Sequence, residues 1–111
     1  MLIYKLFRPS EWDSLLRDGA TPGAPIDIAD GYVHFSTADQ VRETARRYFA
    51  DVEDVVLVAV EVDPLGEALV WEPSRGGDLF PHLYREMRMS DVAWHEILPL
   101  GPGGHSFPEL A

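Results

Sequence analysis

The chain has 111 residues, no cysteine and a net charge of −10, from nineteen acids against nine Lys and Arg. That length suits one domain with a core that needs no staples, and the missing cysteine excludes disulfides, thiolate metal ligands and a cysteine nucleophile. The acidity argues against long nucleic acid as a partner, because a polyanion is repelled at range.

No segment approaches the roughly 18 consecutive apolar residues of a membrane span. Met1-Leu2-Ile3-Tyr4-Lys5-Leu6 has no basic region followed by a long apolar run, so neither a signal peptide nor a membrane partner is expected. The expected setting is the cytoplasm. Residues 71–88 balance Glu72, Asp78 and Glu86 against Arg75, Arg85 and Arg88, so a small anionic ligand is least repelled there.

In chain order, Leu2 to Phe7 reads as an opening strand. Pro9-Ser10 begins a short helix with Ser10 as N-cap, Asp13 three residues on, and Trp12, Leu15 and Leu16 as the apolar stripe. Gly19 stops it, and residues 20–30, with Pro22, Gly23 and Pro25, read as a loop. Tyr32 to Ser36 is a short strand whose alternation puts Tyr32, His34 and Ser36 on one face. Thr37-Ala38-Asp39-Gln40 is a capping box, and Val41, Ala45, Tyr48 and Phe49 give the helix after it an apolar stripe to about residue 50. Arg42, Arg46 and Arg47 lie on its wetter side.

Val55 to Val62 is nearly continuous in apolar residues, the pattern of a strand buried on both faces. Asp63-Pro64-Leu65-Gly66 reads as a tight turn, Ala68 to Glu72 as a strand, and His82-Leu83-Tyr84 and Val92 to Leu98 as two more. The order predicts an α+β fold: a single compact domain over 1–99, with a loose tail from 100 to 111.

Two stretches carry candidate chemistry. His34 and Ser36 project together just before Thr37, where a helix begins with unpaired N–H donors that attract anions. Their plainer roles are a satisfied core histidine and two capping hydroxyls. The second stretch is Trp71 to Tyr84. Gly76-Gly77 frees the backbone to turn its N–H groups on an anion, Arg75 adds a planar cation, and His82 is a proton carrier. Trp71, Phe80 and Tyr84 suit stacking on a flat ring, or completion of the core. The serine-hydrolase elbow Gly-x-Ser-x-Gly is absent, and His34, His82 and His95 lack metal-ligand spacing, so no metal is expected.

Asp30-Gly-Tyr-Val-His34-Phe-Ser36-Thr37 and Trp71-Glu-Pro-Ser-Arg75-Gly-Gly77, running on through Phe80-Pro-His82-Leu-Tyr84, resemble the signatures of a small bacterial family, domain of unknown function 952. Ile3-Tyr4-Lys5 and Glu11-Trp12 are similar too, so the resemblance spans about residues 2–98. It implies an ADP-ribosyltransferase-like fold: a split, mostly antiparallel β core with two short helices and a cleft that holds NAD as substrate. Tyr32-Val33-His34-Phe35-Ser36 is similar to the His-Val-His-Leu-Ser strand of RNA 2′-phosphotransferases, with Tyr32 in place of the first His. Lys5 stands near the superfamily's NAD-anchoring Arg or His. Glu72 and Glu86 both stand in the order of its catalytic Glu.

On this resemblance His34 and His82 are the catalytic candidates, and Lys5, Ser36, Thr37, Trp71, Arg75, Gly76, Gly77 and Tyr84 the ligand-binding ones. The chemistry implied is ADP-ribosyl or phosphate transfer on a small anionic or nucleotide-like ligand. The alternative is a binding module without turnover, monomeric or with the Trp71–Tyr84 loop at a homodimer contact.

Overall fold

The computed structural model describes residues 1–110, and the last residue of the expected tail, Ala111, lies outside them. Two three-stranded antiparallel sheets form the core, so the α+β class expected from the element order holds. The first sheet has β1 (Leu2–Phe7) against β4 (Val56–Glu61), and β4 against β8 (Val92–Ile97). The second has β6 (Leu79–Leu83) between β3 (Val33–His34) and β5 (Leu69–Pro73). A single antiparallel bridge joins them, where Tyr4 and Ser36 exchange two 2.8 Å backbone hydrogen bonds. Beyond that bridge the chain leaves β3 for a helix, and the sheets part.

β4 is central because its sequence is apolar on both faces. Val56, Val58 and Val60 face one core with Ile3, Phe7, Leu15 and Leu83, while Leu57 and Ala59 face another with Tyr4, Leu6, Val41 and Leu98. Each fully buried Val or Leu there contributes about 1.5–3 kcal/mol of burial free energy. Helix α1 (Pro9–Asp18) covers the first core through Trp12 and Leu15, and α3 (Ala38–Tyr48) covers the second through Val41 and Ala45.

Three helices are present where two were expected. Residues 20–30 hold β2 (Ala20–Thr21), paired with β7 (Met87–Arg88), and the helix α2 (Pro25–Asp30). Pro25 is the first helical residue of α2, where its missing N–H costs nothing. All three helices begin with one device. The third residue's side chain accepts the N-cap N–H: Glu11 from Arg8 at 2.9 Å, Asp27 from Ala24 at 2.7 Å, Gln40 from Thr37 at 3.0 Å. The N-cap of α1 is therefore Arg8, two residues before the expected Ser10, because Pro9 fits the first turn. Tyr48, placed in the apolar stripe by spacing, stands exposed at the end of α3.

The expected loose tail is ordered through residue 110. β9 (Leu100–Gly101) and β10 (Gly104–His105) pair as a hairpin, His105 Nε2 lies 2.7 Å from the Val52 carbonyl, and Phe107 and Leu110 pack on the second core. The Arg42 guanidinium also sits over the Phe107 ring at 5.3 Å. Apolar side chains at 107 and 110 hold a segment that composition marks as irregular. No helix among the described residues is long and apolar enough to cross a membrane.

Two substitutions test this account in urea denaturation. Leu57→Ala, in the central strand, is expected to cost about 3 kcal/mol, as for a fully buried leucine. Phe107→Ala is expected to cost about 1–2 kcal/mol, below a fully buried Phe but well above the zero of a free tail.

Candidate functional site

The site is built around a residue that the loop reading passed over. Asp27, on the first turn of α2, is 1% exposed and accepts four hydrogen bonds. Oδ2 takes Lys5 Nζ at 2.9 Å and the Ala24 N–H at 2.7 Å. Oδ1 takes the His34 N–H at 2.9 Å and faces His34 Nδ1 at 2.5 Å. Burial alone would push this carboxyl up, but the His34 hydrogen bond and the Lys5 charge override it and hold Asp27 at about 2. Gly23 has φ +99° and passes so close that a Cβ there would lie 2.2 Å from Asp27 Oδ2. Only glycine leaves room for the carboxylate.

His34 continues the line. With Nδ1 fixed on Asp27, its Nε2 meets Asp30 Oδ2 at 3.0 Å near the surface. A buried carboxylate on one ring nitrogen sets the orientation of a proton-carrying imidazole. Lys5, His34, Asp27, Asp30 and Ser36 all line a cleft of about 520 Å³, which opens where the two sheets part. Arg8, Tyr48, Phe49 and Ser74 are also among its lining residues. Ligand sites commonly occupy roughly 300–1,000 Å³. Lys5 is 7% exposed, and its charge is matched by Asp27. It therefore acts first as the counter-ion of the hub, at the wall of the cleft.

His82 lies in register with His34 on the adjacent strand, with ring centroids 5.3 Å apart, so the two candidate histidines do converge. Their environments differ. His82 is 2% exposed, lies under the Tyr32 ring at 4.1 Å, and has Nδ1 2.8 Å from Glu72 Oε1, while its buried Nε2 has no partner among the described residues. Tyr84 donates to the same Glu72 oxygen at 2.7 Å, which raises its hydroxyl to about 12 and lowers the Glu72 carboxyl. Burial, followed by the charges of Asp30, Glu72 and Asp27, raises the Tyr32 hydroxyl above an ordinary phenol.

The remaining predicted residues divide. Ser36 is buried and shares a 3.0 Å hydrogen bond with Thr44, whose hydroxyl also accepts from Arg75 at 3.3 Å. Arg75 lies over the Phe80 and Tyr48 rings, at 5.0 and 5.9 Å, beside the cleft. Thr37 is the N-cap of α3 and gives its own N–H to the Gln40 side chain. Gly76 and Gly77 form the tip of the β5–β6 hairpin, where the Gly77 N–H returns to the Ser74 carbonyl at 2.9 Å. Trp71 packs on the first core, and strand alternation puts it opposite Glu72, away from the histidines. Neither Glu72 nor Glu86 lines the main cleft. No group of three or more His, Cys, Asp or Glu among the described residues is placed to hold a metal ion.

Asp27 is the functional residue that sequence reading missed. Its signal was Ala24-Pro25-Ile26-Asp27, a proline at the first helical position with an acid at the third, under the cover of Pro22 and Gly23.

The depressed Asp27 carboxyl stabilises the fold above its unfolded value near 3.8 and loses that contribution as pH falls through about 2. Acid titration of stability is expected to show about 2 kcal/mol of this loss in the native protein and to lack it in Asp27→Asn. Gly23→Ala is expected to destabilise by about 3 kcal/mol through the clash and the positive φ. Gly76→Ala, at φ +71° with open space around it, should cost only about 1 kcal/mol in the same thermal or urea measurement.

A family model described as "Protein of unknown function (DUF952)" matches residues 6–95. The crystal structure of protein CC0527 from Caulobacter crescentus is similar over 95% of this chain and 92% of that one, at 45% identity and a TM-score of 0.90. Its solution NMR structure matches over 94% and 90%, also at 45% identity, with a TM-score of 0.83. No curated protein matches significantly. With two signature motifs in place and most of its length matched, this chain belongs to the DUF952 family of proteins of unknown function.

Proposed function

We propose that the protein binds an ADP-ribose-bearing nucleotide such as NAD in the cleft between its sheets, with His34 as proton carrier in a group transfer there. The observation that carries this reading is the Lys5–Asp27–His34–Asp30 line, which begins in the core and ends in a ligand-sized cleft. The split antiparallel core, with a Val-His-x-Ser strand running into a helix, supports an ADP-ribosyltransferase-like ancestry and a distant kinship with RNA 2′-phosphotransferases. Tyr48 and Phe49 supply an aromatic wall for a base, while Arg8 and Arg75 supply cations for phosphates.

In an ADP-ribosyl transfer the bond from the ribose to nicotinamide breaks and its electron pair leaves with the nicotinamide. A new bond forms from that ribose carbon to the acceptor oxygen, whose proton passes to the His34–Asp30 pair. Asp27 keeps the imidazole aimed throughout. His82, buried beneath Tyr32, acts in this reading by packing and by holding Glu72 and Tyr84 in place.

A second reading, binding without turnover, is favoured by one observation. The carboxylates lining the cleft, Asp27 and Asp30, are both engaged with His34, which leaves neither to stabilise a cationic sugar.

Calorimetry with NAD, ADP-ribose and a 2′-phosphorylated oligonucleotide is expected to show binding of at least one. Silence for all three overturns the proposal. Chromatography of the bound nucleotide after long incubation separates the readings, since intact ligand selects the binding module. If turnover is seen, His34→Gln is expected to slow it by about 100-fold or more while affinity stays within a few-fold.

A further inference from the structure

A second pocket of about 280 Å³ shares Asp27 with the main cleft. Tyr32 and Tyr84 line it with rings 5.2 Å apart and tilted 40° to each other, beside the exposed apolar side chains of Pro22 and Ile28. We propose that this pocket binds a cationic alkylammonium head group.

Three observations select a cation of that kind. The first is charge. Glu86 lines the pocket, is exposed, and forms no ion pair among the described residues. The cation that lines it, Arg85, is already matched by Asp91 in a two-pronged contact at 2.9 and 3.0 Å. An anion entering here meets a free carboxylate and no free positive charge, on a chain of net charge −10. The raised Tyr32 hydroxyl reflects the same negative surroundings, after its burial, through Asp30, Glu72 and Asp27.

The second is the aromatic wall. A ring face carries negative quadrupole charge and attracts a cation within about 6 Å of its centroid. Both rings are fixed in advance: Glu72 holds the Tyr84 hydroxyl at 2.7 Å, and His82 stacks under Tyr32 at 4.1 Å. Little ordering therefore remains to be done on binding. The third is the apolar part of the lining. Pro22 and Ile28 are exposed there, and N-methyl groups gain from contact with them, whereas no group of three or more His, Cys, Asp or Glu among the described residues is placed to hold a metal ion. Asp27 lines both this pocket and the proposed NAD cleft, but Tyr32, Tyr84 and Glu86 line only this one, so the assignment stands without the NAD reading.

Titration of the intact protein with choline, followed by NMR, tests the assignment against 3,3-dimethylbutan-1-ol, the uncharged carbon isostere. Choline is expected to shift the amide and ring signals of Tyr32, Tyr84 and Glu86, and to bind about tenfold more tightly than the isostere, a difference of about 1.4 kcal/mol. Glu86→Gln should weaken choline several-fold. Tyr84→Phe keeps the ring but frees it from Glu72 and should bind a few-fold more weakly, while Tyr84→Leu should lose binding. Residues 84 and 86 are exposed, so these variants keep the fold. Equal affinity for the isostere, unchanged binding in Tyr84→Leu, or no choline response at those residues up to tens of millimolar overturns the proposal.

Discussion

The Asp27 carboxylate is the charge around which the molecule closes. An unpaired carboxylate in a protein interior is prohibitively expensive, and a single ion pair often only breaks even against its desolvation. Here both oxygens are filled, by the Lys5 ammonium from β1, the Ala24 N–H from α2, and the amide and ring of His34 from β3. The donors come from β1, far away in sequence, and from the start of α2 and β3 close by. Satisfying the charge therefore fixes where α2 sits against both sheets, and leaving any donor out strands a buried charge. This is a constraint of position more than a source of net stability, and it explains why Gly23, Lys5 and His34 are bound to one geometry.

That constraint also shapes the cleft. Among the described residues the sheets share only the Tyr4–Ser36 bridge before Thr37 turns the chain into α3, so an opening between them is built into the topology. The hub sits at its inner end and presents His34 to it with a fixed ring. On the adjacent strand the same pairing recurs with other partners: Glu72 holds His82, and Tyr32 packs against both imidazoles at 4.6 and 4.1 Å. One histidine reaches the cleft and the other is sealed in. The two-part signature in the sequence therefore encodes one open imidazole and one buried one that organises its aromatic surroundings.

Much of this was legible in the chain. The run from Val55 to Val62 announced a doubly buried strand, Thr37–Gln40 a helix start, and the alternation at Tyr32, His34 and Ser36 a shared face. Misreadings arose where local signals had two meanings. Pro22, Gly23 and Pro25 look like breakers, yet Pro25 opens α2 and Gly23 makes room for its acid. Trp71 sits among ligand-like neighbours but packs in the core, because strand alternation turns it away from Glu72. The glycines near the C-terminus suggested a loose tail, while Phe107 and Leu110 hold it down.

The sequence by itself determined the class of fold, the family and the pair of histidine motifs, because hydrophobic period, capping chemistry and motif spacing are local properties. Only the tertiary structure decided which charges meet. Lys5, Asp27 and His34 are separated by 22 and 7 residues, and nothing local to any of them says that one ammonium, one carboxylate and one imidazole share a buried contact. Such a contact depends on how two sheets and a helix close, and the cost of burying a charge makes that closure specific.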